Sequence, residues 1–546
     1  MCRITLRLRC WAHSYYGFAM LLRKSVTWIL IALGVAGALT AALSIARAGI
    51  GWDAPVDAQA VAQIQAIPAD ASLEQAYEQV FWTSEYYGIL ISQLADTAHS
   101  WSTGSTQALD ASNLATYRWQ AGVTVVIAIA GAAALGLAVG RALHSSLAGA
   151  FAWALTMTTP VYLGSSHVNF KDIPVAAGLS LVSAGMIMSS VGSARARWIS
   201  GISLTTIGAI VALGARVAAW PLVLAIMVGS LTAYAILSKR QGRLVNMRPT
   251  VGAVISAFPL TLLFLWLTNP FARLDLPRWL LDSVVVMREY PMDLIVRVAG
   301  SDFATTQLPW WYLPAWLFAQ LPLLTLLALL WTGVCVIAGL AARRWAAPRG
   351  QLLVLAPLFI QGLVLPLAIV GSGSVVYDAL RHLLFMFPAL TALTAIGVAA
   401  LERIASDRGT MLNVAALSAA GAVVIASLWA SVRWMPYSYA FINPIAGWNS
   451  SERAWELDYW GVSAIEGVRI LQQAGYPAVA VQPTASTSDI VGGMWRDQAR
   501  STAPDGYGLY VFKRWDESIG TCESLFTIRR DRQVLGEGAV CTKWDG

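Results

Sequence analysis

Asp53 and Asp57 lie four residues apart in Gly51-Trp52-Asp53-Ala54-Pro55-Val56-Asp57, just after the first long apolar run, Val26 to Ala46. Two carboxylates so placed can take a proton from an attacking hydroxyl or hold a divalent cation. A second polar set fills His167-Val168-Asn169-Phe170-Lys171-Asp172-Ile173-Pro174, and Arg216 ends Gly214-Ala215-Arg216 between two apolar runs. A third set, Tyr377-Asp378-Ala379-Leu380-Arg381-His382, precedes a late apolar run. Lys171, Arg216 and Arg381 suit a phosphate or pyrophosphate, held by charge-assisted hydrogen bonds. Asp172 is a third candidate acid. Each residue has an ordinary reading: Lys171 a snorkelling anchor, Arg216 a hairpin charge, Asp57 a helix cap, Arg381 and His382 partners of Asp378. Together, cations beside carboxylates at one membrane depth suit a lipid phosphate whose head group reacts outside the bilayer.

The elements that must position them are membrane helices. The chain is 57% hydrophobic and 12% charged, against about 25% charged in soluble chains. Eleven apolar spans are expected, at 25–46, 119–140, 146–164, 173–191, 199–215, 218–237, 250–268, 313–341, 351–370, 380–400 and 410–431. Residues 199–237 are too long for one crossing of a ~30 Å core and are split at Arg216. The fold class is therefore an all-α polytopic membrane protein. Arg23, Lys24, Arg141, Arg195, Arg197, Lys239, Arg240, Arg243, Arg248, Arg343, Arg344, Arg349, Arg403 and Arg408 then share one side, with only Glu402 and Asp407 of the 30 acids. The positive-inside rule makes that side the cytoplasm. The net charge of +7 reflects this face and does not call for nucleic acid.

These assignments give a cytoplasmic N-terminus (1–24), a transmembrane domain (25–432) with extracytoplasmic loops 47–118 and 269–312, and an extracytoplasmic C-terminal domain (433–546). The expected location is the plasma (inner) membrane. Met20 is a second candidate start, and the first helix is expected to remain uncleaved. Ser72 to Ala98 carries the spacing of an amphipathic interfacial helix. In the tail, 463–474 reads as a short helix, and 478–482, 508–512, 524–528 and 539–542 read as strands, which makes a small α/β domain. Cys522 and Cys541 sit by the last two strands, and an oxidising compartment favours a disulfide between them.

These residues resemble a family. An Asp just outside the first span, the Asn169-Phe170-Lys171-Asp172-Ile173-Pro174 turn, Leu308-Pro309-Trp310-Trp311-Tyr312-Leu313-Pro314 before a late span, and Arg381-His382-Leu383-Leu384-Phe385-Met386-Phe387-Pro388 resemble motifs of the GT-C fold glycosyltransferases. The branch is the protein O-mannosyltransferase and aminoarabinose-transferase-like one, the dolichyl-phosphate-mannose-protein mannosyltransferase-like bacterial membrane proteins. Tyr437–Asn443 and Asp458-Tyr459-Trp460-Gly461 resemble the start of that branch's C-terminal region. The resemblance implies sugar transfer from a polyprenyl-phosphate donor to an extracytoplasmic glycan, lipid or protein acceptor. It implies Asp53 as the base, Asp172 as a second acid, and Lys171, Arg216, Arg381 and His382 as holders of the donor phosphate. His167, Asn169 and Tyr377 would contact substrate. Asp53 and Asp172 would be the ligands of any divalent metal ion, the one cofactor in view. The chain departs from the pattern at Ala54, where relatives often carry Glu, and it lacks a nearby His, with Asp57 near its place. Asp53 and Asp57 thus both stand as candidate bases.

The chemistry holds together without the family. A sugar phosphodiester leaves well once its charge is held, and general-base help is typically worth ~10²–10⁴ in rate. Two other classes compete: a transporter or flippase for a lipid-linked sugar, and an inactive GT-C-like scaffold. The chain shows no internal repeat of the transporter kind, and Ala54 is what favours the scaffold.

Overall fold

The computed structural model describes the backbone of residues 2–51, 53–80, 83–105, 109, 114–191, 193–241, 247–290, 294–341, 348–406, 410–448, 454–476, 479–482, 507–512 and 522–541, and most side chains from 21 onward. Trp52, Arg243, Arg343, Arg344, Asp407, Arg408, Ala478, Thr542 and the Arg240 side chain lie outside the described residues.

Helix α1 (Cys2–Arg47) carries the first apolar run and leads, beyond Gly51, into α2 (Asp53–Gln65). The loop that follows holds α3 (Leu73–Gln79), a 3-10 turn at Ser84–Tyr86, and α4 (Leu90–Thr103). The single interfacial helix expected over 72–98 is thus broken. Ser72 closes a capping box with Gln75, and extended backbone at Val80 and Tyr87 ends each piece.

The membrane domain continues with α5 (Leu114–Leu143), α6 (Ser146–Thr158), α7 (Pro160–Ser165), α8 (Asp172–Ser190), α9 (Ala194–Ala215), α10 (Trp220–Gln241) and α11 (Arg248–Thr268). Then come α12 (Pro270–Arg288), strands β1 (Ile295–Val298) and β2 (Ser301–Ala304), α13 (Tyr312–Gln320) and α14 (Leu323–Leu340). Last are α15 (Arg349–Val354), α16 (Ala356–Phe359), α17 (Leu365–Gly371), α18 (Met386–Leu393), α19 (Ala395–Ser406) and α20 (Thr410–Trp434). Among the described residues, nine helices are long and apolar enough to cross a membrane, and two shorter apolar helices cover Ser146–Thr158 and Ala356–Gly371. They fall at the eleven expected positions, but three segments are interrupted at prolines. Span 146–164 breaks at Thr159 before Pro160, and span 313–341 breaks at Leu321 before Pro322. Between α16 and α17 the chain widens to a π turn, Ile360–Val364, just ahead of Pro366. Proline lacks the N–H that would continue the helical ladder, and its ring disfavours helix in the residue before it. The tenth span begins at Met386 rather than 380, because 376–385 form a loop at the bundle end.

Each end of the bundle carries its own set of paired charges. At one end Arg23 Nε meets Glu402 Oε1 at 2.9 Å, Ser145 donates to the same carboxylate, and Arg403 donates to Gln351 at 2.8 Å. Arg23, Glu402 and Arg403 were expected on the cytoplasmic face. At the other end lie Asp53, Lys171, Asp172, Arg216 and Arg381. Helix α8 sets that end, since nearly all its residues are buried. It packs on antiparallel α9 through glycines. A Cβ at Gly178 would stand 2.7 Å from the Gly208 carbonyl oxygen, and one at Gly208 would meet the Gly178 oxygen at 2.5 Å. Small residues let the backbones approach this closely. That contact brings Asp172, at the start of α8, beside Arg216, at the end of α9.

After α20 come α21 (Pro444–Trp448), α22 (Ala464–Gln473) and strands β3 (Val479–Gln482), β4 (Tyr507–Phe512), β5 (Glu523–Arg530) and β6 (Gln533–Cys541). The four strands order β3-β4-β6-β5, with β3 and β4 parallel and the other pairs antiparallel. Cys522 and Cys541 form a disulfide. The β5–β6 turn docks on the end of α20: Trp434 Nε1 donates to Asp531 at 3.0 Å, and Arg530 donates to the Met435 carbonyl at 3.3 Å. The chain is an all-α polytopic membrane protein with a small α/β C-terminal domain.

Candidate active site

The site begins at the turn before α8. Asn169 Oδ1 accepts from the backbone N–H of Lys171 (3.2 Å) and of Asp172 (2.8 Å), while its Nδ2 donates to Asp172 Oδ2 at 2.9 Å. One asparagine thereby fixes the cation and the acid that follow it. Lys171 Nζ then bridges Asp53 Oδ2 (3.2 Å) and Asp57 Oδ1 (3.0 Å), one helical turn apart on α2. Arg381 Nη1 reaches the same Asp53 oxygen at 3.2 Å and Asp378 Oδ2 at 3.0 Å. Arg216 pairs with Asp172 Oδ1 at 3.3 Å. Four carboxylates and three cations thus form two linked ion-pair sets.

Aromatic rings hold the cations in place. Tyr87 lies under both Lys171 (4.5 Å to the ring centroid) and Arg216 (5.1 Å). Its backbone bridges Arg216, and the next N–H, of Gly88, donates to the Ala215 carbonyl at 2.9 Å. Any Cβ at Gly88 would collide with the Gly214 oxygen at 1.8 Å, so glycine is required for this approach. Arg381 sits between Tyr377 (4.4 Å) and Trp460 (4.9 Å). Cation–π contacts of this kind contribute ~0.5–2 kcal/mol each. Tyr312 donates its hydroxyl to the Ala379 carbonyl at 2.9 Å, pinning the loop where Asp378 and Ala379 take positive φ of 56° and 57°. The buried Asp458 carboxylate accepts from the Tyr439 hydroxyl and from Val462 N at 2.9 Å, which shapes the loop presenting Trp460.

The two acids on α2 differ in proton affinity. Burial raises the Asp53 carboxyl, but Lys171 and Arg381 outweigh it and hold its pKa below the usual value. Burial also raises Asp57; Lys171 offsets only part of this, the Asp53 charge adds to it, and the pKa reaches about 6. The count of partners explains the contrast, because Asp53 has two cations and Asp57 one. Burial and the nearby Arg381 charge push His382 well below its usual range, so His382 is neutral at pH 7. Its Nδ1 is buried with no hydrogen-bond partner among the described residues.

A cavity of about 450 Å³ opens beside this cluster. Asp172, Arg216, His382, Tyr87 and Tyr377 form its polar end, and Val175, Leu222, Ala225, Leu365, Ile369 and Phe385 are among its apolar lining. Lys171 and Asp57 instead line a much smaller void with Tyr87 and Gly88. The structure therefore brings together Asp53, Asp57, Asn169, Lys171, Asp172, Arg216, Tyr377, Arg381 and His382. It engages His167 elsewhere: Nε2 meets the Pro436 carbonyl at 3.0 Å, and burial lowers the imidazole pKa to about 4. Lys171 and Arg381 face carboxylates and do not line the cavity. Among the described residues no group of three or more His, Cys, Asp and Glu is placed to hold a metal ion. Asp53 and Asp172 are countered by side-chain cations, so this donor set does not fit a resident divalent ion, and no step below runs through one.

Sequence reasoning passed over Tyr87 and Trp460 as site residues, and over Arg288 and Tyr290, which also line the cavity; it offered Asp378 only as a structural partner of Arg381 and His382. Trp460 stands within a motif quoted above. Tyr87 gave no such signal, because it sat within an apparently regular amphipathic pattern.

No family model and no curated protein matches the chain. Among solved structures it is similar to ArnT from Cupriavidus metallidurans bound to undecaprenyl phosphate, at 13% identity and a TM-score of 0.47, covering 94% of this chain and 98% of that one. A likeness this slight carries no residue role from one chain to the other.

Proposed function

We propose that the chain is a GT-C-like membrane glycosyltransferase that moves a sugar from a polyprenyl-phosphate donor to a hydroxyl acceptor on the extracytoplasmic side. One observation carries this reading. Arg216 stands both in the carboxylate–cation network and at the polar end of the 450 Å³ apolar cavity, next to the unpartnered His382 Nδ1. A cavity of this size, largely apolar with a few convergent polar groups, fits a ligand site. The prenyl chain lies along Val175, Leu222, Ala225 and Phe385, and the phosphate meets Arg216 and His382.

In the reaction the acceptor oxygen forms a bond to the anomeric carbon. The bond from that carbon to the phosphate oxygen breaks, and its electron pair leaves with the polyprenyl phosphate. Asp57 lines the small void that shares Tyr87 with the cavity, and from there it takes the hydroxyl proton of an acceptor; its pKa of about 6 lies nearer neutral pH than that of Asp53 and so matches a general base better. Asp53, ionised between Lys171 and Arg381, positions those cations and holds Asp57 in register. The Arg216 charge stabilises the departing phosphate. The resemblance in the sequence pointed to Asp53 as base; the count of cations favours Asp57.

The binding half is tested by native mass spectrometry of the protein in lipid nanodiscs. Polyprenyl phosphate should be retained and the uncharged polyprenol released. Equal retention of both would contradict a phosphate-reading cavity.

A further inference from the structure

The C-terminal sheet reaches the Asp53–Arg381 network through a chain of buried hydroxyls. Tyr510, on β4, is fully buried and donates its hydroxyl to Ser463 Oγ at 2.7 Å. Ser463 in turn donates its own hydroxyl to Asp458 Oδ2, and its backbone N–H reaches the same oxygen at 3.2 Å. Val462 N and the Tyr439 hydroxyl donate to Oδ1. One buried carboxylate thus gathers four donors. They come from its own loop and from the turn after α20, and Ser463 links them to the sheet. A buried polar network satisfied in this way is rigid.

Those bonds hold an uncommon backbone. Asp458 takes a φ of 48° and Gly461 one of 64°. A residue with a side chain stays in the left-handed region where its surroundings over-determine it, and such residues cluster at working sites. The loop so shaped touches both partners of one ion pair. Its Trp460 ring covers the Arg381 guanidinium at 4.9 Å. It also packs on the segment leading into α2: a Cβ at Gly49 would stand 2.2 Å from the Val462 carbonyl oxygen, and one at Gly51 3.2 Å from the Trp460 ring. Asp53 follows Gly51 by two residues and meets Arg381 at 3.2 Å. A displacement of this loop therefore disturbs Asp53 and Arg381 at once.

We infer that the C-terminal domain positions the Asp53–Arg381 pair, and that Tyr510 is the positioning residue, acting through Ser463 and Asp458 on Trp460. Tyr510 does not line the 450 Å³ cavity. Its value to catalysis rests on the transfer reaction proposed above, in which Asp53 holds Asp57 in register; the mechanical link stands without it. Misplacement of a reacting group by about 1 Å can cost ~10²-fold in rate, so a remote hydroxyl has leverage on turnover.

The test uses the full chain in nanodiscs. Tyr510→Phe removes one hydroxyl and keeps the ring, and Ser463→Ala breaks the chain at its middle. Hydrogen–deuterium exchange read by mass spectrometry should rise severalfold over 49–57 and 376–385 in both variants. Exchange in α8 and α9 should stay as in wild type, and the melting temperature should stay close to it. Turnover should show a kcat reduced severalfold in Tyr510→Phe with the donor KM unchanged, because the cavity that takes the donor is lined from elsewhere. The inference is overturned if exchange at both segments equals wild type in both variants. A rise confined to the C-terminal domain together with a lowered melting temperature would overturn it too, since Tyr510 would then stabilise only its own domain. So would a kcat equal to wild type in Tyr510→Phe. Absence of turnover in wild type would contradict the transfer reading alone, and the exchange pattern would still decide the positional link.

Discussion

Asp53→Asn should move the pH dependence of turnover rather than simply abolish it. Asp57 is raised to about 6 first by burial and then, against the pull of Lys171, by the negative charge of Asp53. Both carboxylates contact one ammonium, at 3.2 and 3.0 Å, so their contacting oxygens are at most about 6 Å apart. Unit charges at that distance repel by ~0.7 kcal/mol in bulk water and ~3 kcal/mol at an effective dielectric of ~20. At ~1.4 kcal/mol per pK unit, removing the Asp53 charge lowers the Asp57 pKa by between ~0.5 and ~2 units. Lys171, with one acid fewer to serve, adds to the fall. The sign is fixed by the base role: kcat/KM rises as Asp57 loses its proton. Wild type should therefore show an acid limb centred near pH 6, and Asp53→Asn a limb displaced to lower pH, with a plateau reduced because Lys171 and Arg381 lose an anchor. The assay is the pH profile of polyprenyl phosphate release by both proteins under identical lipid conditions. The reasoning is refuted if Asp53→Asn is inactive at every pH while Asp57→Asn keeps its rate and its acid limb; Asp53 would then be the base.

Other outcomes follow from the same geometry. Arg216→Gln should weaken polyprenyl phosphate retention ~10–100-fold, the loss of one charge-assisted bond, whereas Asp172→Asn should keep it; native mass spectrometry reads both. Ala225→Trp fills the apolar end of the cavity and should raise KM for the donor with little change in kcat, as expected when uniform binding is lost; steady-state kinetics check this. Cys522→Ser with Cys541→Ser should destabilise the C-terminal domain by ~3 kcal/mol, the loop-closure value for a crosslink of this length, seen as earlier proteolysis of the tail. Non-reducing mass spectrometry of wild type should find the two cysteines joined.

Much of the fold was legible because bilayer thickness dictates helix length and charge dictates which ends lie together. Those two constraints put Lys171, Asp172, Arg216 and Arg381 at one depth with Asp53 and Asp57, and in the structure these residues touch. The breaks at Pro160, Pro322 and the π turn before Pro366 were less visible, since an apolar run does not report where its ladder is interrupted. Residues 269–312, read only as an extracytoplasmic loop, contain α12, whose kink falls at Asp275 before Pro277, and the β1–β2 hairpin. The role of Tyr87 was hidden for a different reason. It depends on a long-range backbone contact to the α9–α10 turn, made possible by Gly88 and Gly214, and no local pattern encodes that contact. The distinction between Asp53 and Asp57 was likewise a tertiary matter, because it rests on how many cations reach each acid.

The most direct test of the central claim is turnover. Purified protein in nanodiscs is incubated with a panel of polyprenyl-phosphate sugars and a mixture of hydroxyl acceptors from the cell envelope, and release of free polyprenyl phosphate is measured. A glycosyltransferase releases it with at least one donor, and Asp57→Asn does not. A donor that stays intact with every sugar, or that only changes leaflet, would contradict the account and leave a lipid carrier or an inactive scaffold in its place.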